Sequence, residues 1–80
     1  MDNETKSIKK EQREQGREEI EKLRKKIDIT RYNMEVSEEI IAETPSDAQQ
    51  EKLIKKNIQR QHGIAGLEKE IHDIKQKLDE

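Results

Sequence analysis

Cysteine, tryptophan and phenylalanine are absent from the chain, and its 80 residues hold one proline, Pro45, and one aromatic residue, Tyr32. Without cysteine there is no disulfide staple, no thiolate metal site and no dithiol redox chemistry. Without interleaved aromatics there is no platform on which nucleic-acid bases could stack. Apolar residues make up 28% of the chain against 45% charged, a balance close to that of disordered chains, so any core must be thin. No apolar run approaches membrane-spanning length, and the opening "MDNETKSIKKEQREQG" lacks the apolar middle of a signal peptide. The expectation is a cytoplasmic protein with no membrane partner. The net charge of −2 gives no global electrostatic reason to seek nucleic acid.

What is present is charge, and it is segregated. Residues 22–31, "KLRKKIDITR", carry five basic groups and one acid, and residues 35–43, "EVSEEIIAE", carry four acids and no base. Residues 52–62, "KLIKKNIQRQH", are basic without an acid. Beneath the charge runs a second pattern, with steps of three and four residues through Ile20, Leu23, Ile27, Thr30, Met34, Ser37 and Ile41. This is a heptad seam with two polar interruptions. The second half repeats it through Leu53, Asn57, Arg60, Ile64, Leu67, Ile71, Ile74 and Leu78. Both halves are therefore expected to be amphipathic helices.

One continuous rod would require the two seams to stay in phase, and they do not: they slip by two residues at "ETPSD". Pro45 disfavours helical geometry in the residue before it, so the first helix should end by about Glu43. Two caps compete to start the second helix. Thr44 can cap, with Pro45 at the first helical position and Asp47 completing a capping box; Ser46 with Gln49 does the same one step along.

Folding the chain back at this corner suggests a register in which paired residue numbers sum to about 94. Ile41 then meets Leu53, Ser37 meets Asn57, Ile27 meets Leu67, Leu23 meets Ile71 and Ile20 meets Ile74. The same register lays the acidic 35–43 segment beside the basic 52–62 segment, and the basic 22–31 segment beside "EKEIHD". Hydrophobic and charge patterns thus agree on an antiparallel hairpin. Along the helices, Glu18 with Lys22, Glu21 with Lys25, and Glu51 with Lys55 are spaced for favourable four-residue pairs. A further apolar set, Ile29, Tyr32, Val36 and Ile40 with Ile54 and Ile58, lies beside the main seam near the corner. Such a widened stripe offers a surface for docking a second hairpin into a four-helix bundle, or for a wider contact within one chain.

Little in the sequence points to chemistry. His62 and His72 stand ten residues apart and have no cysteine or second histidine beside them, so they read as solvated surface residues rather than metal ligands. The carboxylates sit in mixed-charge runs, and a two-helix hairpin offers no concave site to shift a pKa. Catalytic, cofactor-binding and metal-binding residues are therefore expected to be none, and no small-molecule ligand is implied. The two glycines of "HGIAGLEK", Gly63 and Gly66, lack the strand-and-turn context of a phosphate-cradling loop and read as permitting close helix approach or marking local softness. Lys52, Lys55, Lys56 and Arg60 form a basic strip able to touch phosphates, but with acids expected alongside, a solvated and internally compensated face is the stronger reading.

In the second helix, Lys56, Asn57, Arg60, Ile64, Leu67, Glu70, Ile71 and Asp73, and upstream the "IEKL" of Ile20 to Leu23, resemble the small acid-soluble spore protein Tlp family. The resemblance covers roughly residues 18–75. It implies a small hydrophilic protein accumulated in dormant spores of Gram-positive bacteria, in the spore core, without a molecular mechanism attached. The family's usual Pro- and Asp-rich N-terminal segment is replaced by "IKKEQREQGREE". At the corner, where members carry stretches resembling germination-protease sites, Glu43 and Ser46 carry over and Pro45 intervenes.

The expected fold is all-α: an antiparallel, coiled-coil-like two-helix hairpin, able in principle to dimerise into a four-helix bundle. Residues 1–17 are expected to form a polar arm, a frayed helix or disordered, with Gly16 near the point where order begins. Residues 18–80 are expected to form the hairpin, with helices at about 18–43 and 46–79 and a turn at about 44–46. The residues expected to pack the helices are Ile20, Leu23, Ile27, Met34, Ile41, Leu53, Ile64, Leu67, Ile71, Ile74 and Leu78. The expected function is that of a non-enzymatic Tlp-type spore protein. A small interaction or regulatory module is the alternative, and weak nucleic-acid binding a more distant one.

Overall fold

A computed structural model describes the backbone of residues 2–79 and the side chains of residues 10–78. Two helices account for it: α1, Asp2–Glu43, and α2, Asp47–Asp79, running antiparallel and packed along their length. The shape is a rod with Cα extents of 68 × 15 × 12 Å. A 42-residue helix such as α1 is about 63 Å long at 1.5 Å per residue, so α1 sets the length of the rod. The 33 residues of α2 cover about 50 Å of it, and α1 overhangs beyond the end of α2.

The overhang is most of the segment set apart above as an arm, whose last residues, Gly16 among them, lie against the end of α2. From Asp2 its backbone is continuous with α1, in keeping with the helix propensity of its Glu, Lys, Gln and Arg residues. The side chains of Met1 and Ile8 lie outside the described residues.

Between the helices, Thr44, Pro45 and Ser46 are non-helical. Of the two caps that compete in the sequence, Ser46 is the one used. Its carbonyl accepts from the Gln50 N–H at 3.0 Å, and its Oγ receives the Gln49 N–H at a long 3.5 Å. Thr44 faces the other way. Its Oγ1 donates to the Ile40 carbonyl at 2.6 Å and its N–H to the Ile41 carbonyl at 3.4 Å. The reading of Thr44 as an N-cap, with Pro45 as the first helical residue, is thereby corrected: Thr44 closes α1, whose last carbonyls lack helical partners and draw its donors back. Gln50 completes the corner by donating Nε2 to both the Ile41 carbonyl, at 3.2 Å, and the Thr44 carbonyl, at 2.7 Å.

The register follows from cross-helix contacts. Gly16 faces Leu78 and Thr44 bonds Gln50, both pairs summing to 94. The Asn57–Met34 and Arg60–Ser37 bonds fall three residues to either side of that value. The core is a single line of side chains. Ile20, Ile27, Ile64 and Ile71 are buried, and Leu23, Met34, Leu67, Ile74 and Leu78 are packed half-buried against them. Ile41 and Leu53 are half-buried beside the turn.

Candidate interaction surface

The seam has a polar layer in it. Ser37 and Asn57 are buried, at 5% and 9% exposure, where an apolar pair would be expected. Arg60, half-buried, turns inward: one guanidinium nitrogen, Nη1, donates to Ser37 Oγ at 2.7 Å and to Asn57 Oδ1 at 2.8 Å. Asn57 Nδ2 in turn donates to the Met34 carbonyl at 3.2 Å. Thr30, the other polar seam residue of α1, satisfies itself within the helix by donating to the Lys26 carbonyl at 2.8 Å. Among the described residues no buried side-chain nitrogen or oxygen is left without a partner. Sliding α2 by one heptad would set the buried Ser37 against Leu53 or Leu67 in place of Arg60, so this layer fixes the register.

The charge segments pair less than their sequence suggests. Among the described residues the ion pair within 4.0 Å is Arg31–Glu68, at 3.1 Å, and both side chains are more than half exposed. It joins the basic 22–31 segment to "EKEIHD" as the register requires. The four-residue pairs expected along the helices, Glu18–Lys22, Glu21–Lys25 and Glu51–Lys55, do not close. For exposed long side chains the Coulomb gain in water does not exceed the entropy of holding them together.

Heptad letters show how the surface is divided. In α1, Ile20, Ile27, Met34 and Ile41 take a, and Gly16, Leu23, Thr30 and Ser37 take d; in α2, Gln50, Asn57, Ile64, Ile71 and Leu78 take a, and Leu53, Arg60, Leu67 and Ile74 take d. In an antiparallel pair, e residues flank e and g residues flank g. The contacts agree: Arg31 and Glu68 are both e, while Ile40, a g residue, lines an open groove of about 580 Å³ with Gln49 and Lys56, also g.

The second apolar set therefore does not form one cluster. Ile29 and Val36 at c and Ile40 at g lie on the g side of the hairpin, Tyr32 at f lies on the outer back of α1, and Ile54 at e and Ile58 at b lie on the opposite, e side. Ile29 is 62% exposed and Tyr32 66%, while Ile40, Ile54 and Ile58 are exposed by about half; Val36 is half-buried. The e side is otherwise charged, with Arg24, Asp28, Arg31, Glu68 and Lys75 lining one shallow groove.

Two seam residues escaped the sequence reading. Gly16 stands four residues before Ile20, in phase, and is buried: a Cβ added there would lie 2.8 Å from Leu78 Cδ2. Gln50 stands three before Leu53, also in phase. Periodicity was the available signal for both, but neither residue type counts as apolar. The glycines that were singled out, Gly63 and Gly66, make no close approach, since a Cβ at either would meet nothing within 4 Å. That reading is corrected: the close approach belongs to Gly16.

The grooves are open, and among the described residues no three His, Asp or Glu side chains gather as a metal site. No described helix is long and apolar enough to cross a membrane. A family model described as "Small, acid-soluble spore protein Tlp" matches residues 9–80, which takes in the whole hairpin. Comparison with curated proteins and with solved structures returns no match.

Proposed function

Since the chain belongs to the small, acid-soluble spore protein Tlp family, we propose that it is a non-enzymatic protein accumulated in the core of dormant spores and degraded when they germinate. The match over residues 9–80 carries this reading, because it spans both helices and the turn rather than one stretch of common helix vocabulary. The hairpin is consistent with it. A thin seam with a satisfied polar layer gives a rod whose surface is mostly charged and polar, suited to storage at high concentration.

The test is the abundance of the polypeptide in acid extracts of dormant spores against growing cells of its source organism, by mass spectrometry, followed through germination. Strong enrichment in spores and loss on germination is the expected result. Presence in growing cells alone would discard the reading.

A second reading, a helical interaction module, is favoured by one observation: Ile29 and Ile40 remain exposed on the g side of a chain with few apolar residues. On this reading the g side of the hairpin seats another helix. Nucleic-acid binding finds no comparable support.

A further inference from the structure

The g side of α1 carries a second heptad seam. Lys22, Lys26, Ile29, Asn33, Val36, Ile40 and Glu43 follow one another in steps of four and three at alternating c and g positions, all on the face that α2 leaves open. Its middle is apolar apart from Asn33, and its two ends carry opposite charge, lysines toward the N-terminus and Glu43 at the C-terminus. A strip with this antisymmetry is complementary to itself when reversed. Laid antiparallel on a copy about a two-fold axis between residues 34 and 35, Ile29 meets the copy's Ile40, Val36 meets its Asn33 and Lys26 meets its Glu43. A parallel arrangement would set lysine on lysine and glutamate on glutamate.

The same axis accounts for the glycines. By the hairpin register it passes level with residues 59 and 60 of α2, so α2 meets the α2 of the copy with Gly63 opposite Lys56 and Gly66 opposite Leu53, beside Lys52. Gly63, Gly66, Lys56 and Lys52 are g or c residues on the same side of the hairpin. Bare backbone with nothing within 4 Å of either absent Cβ leaves room for long lysine stems to lie across it.

We propose that the protein self-associates as an antiparallel two-fold dimer, a four-helix bundle, through the g side of the hairpin, with Ile29, Val36 and Ile40 at its centre and Lys26–Glu43 pairs at its ends. The proposal is independent of where the protein is stored. The occupant is a second copy because charge and apolar order match this chain's own reversed sequence. The strip from Lys22 to Glu43 is about 32 Å long, and over the width of the hairpin it buries roughly 500 Å² per copy, below the ~800 Å² of standard interfaces. The association is accordingly in the micromolar range rather than the nanomolar.

Sedimentation equilibrium on the full chain, from about 5 to about 500 µM, reads it. A monomer–dimer equilibrium is expected. Ile29→Ser with Ile40→Ser should weaken it by ~100-fold or more while helicity is kept, because both side chains are exposed in the monomer. Ile54→Ser with Ile58→Ser, on the other side, should leave it unchanged. Glu43→Lys should weaken it by about tenfold, and adding Lys26→Glu to that variant should restore it. A chain that stays monomeric throughout, or association abolished by the Ile54 and Ile58 changes instead, overturns the proposal. A charge exchange that fails to restore association overturns the antiparallel pairing.

Discussion

Gly63 and Gly66 sit in the interior of α2, exposed, with negative φ and with nothing in reach of an added Cβ. Replacing either by alanine changes almost nothing but the backbone entropy of the unfolded chain and the solvation of the helix. The expected gain is then the difference in helix propensity, about 0.8 to 1 kcal/mol per site. The double variant should gain about 2 kcal/mol, and at roughly 4 to 8 °C per kcal/mol for a chain of this size its Tm should rise by about 8 to 16 °C. Gly16→Ala is the internal control. Its Cβ would lie 2.8 Å from Leu78 Cδ2 and 3.2 Å from Leu78 Cδ1 and Cγ, so Leu78 must move. Overpacking of about 1 to 3 kcal/mol opposes the propensity gain, leaving a net effect between zero and a loss of about 2 kcal/mol. The assay is urea and thermal unfolding followed by circular dichroism, with each change made in the Ile29→Ser, Ile40→Ser background so that self-association does not contribute. Gly63→Ala or Gly66→Ala that destabilises the monomer, or Gly16→Ala that stabilises it as much as they do, would refute the packing described for α2 and for the Gly16 layer.

Three further outcomes follow from the contacts. Gln50→Ala removes both side-chain hydrogen bonds that tie the turn to the end of α1 and should cost about 1 to 2 kcal/mol in urea unfolding; no loss would mean that those carbonyls are satisfied by water. Ser46→Ala should cost about 1 kcal/mol by the same measurement, through the loss of the α2 cap. Arg31→Gln should change stability by less than about 0.5 kcal/mol despite removing the ion pair, and a larger loss would show that the pair is less screened than its exposure implies.

The sequence by itself determined the two helices, the corner between them and the register. Helical periodicity states which side of a helix must be buried, and the out-of-phase seams flanking Pro45 leave a hairpin as the way to bury both. The Ser37–Asn57 layer was likewise visible as matching polar interruptions at the same level. Only the tertiary structure decided what depends on the partner helix. Arg60 stands in a basic run beside an acidic one, yet its head turns inward, because Ser37 and Asn57 offer acceptors inside the seam. Thr44 and Ser46 are both capping residues, and the choice fell to Ser46 once the carbonyls of α1 claimed the donors of Thr44. Gly16 and Gln50 follow the heptad but lack apolar side chains, so their burial shows only when Leu78 and the end of α1 are in place. The division of the second apolar set has the same origin. Periodicity places Ile40 and Ile54 at angles around their own helix axes, and the antiparallel pairing, setting g against g and e against e, sends them to opposite sides of the rod.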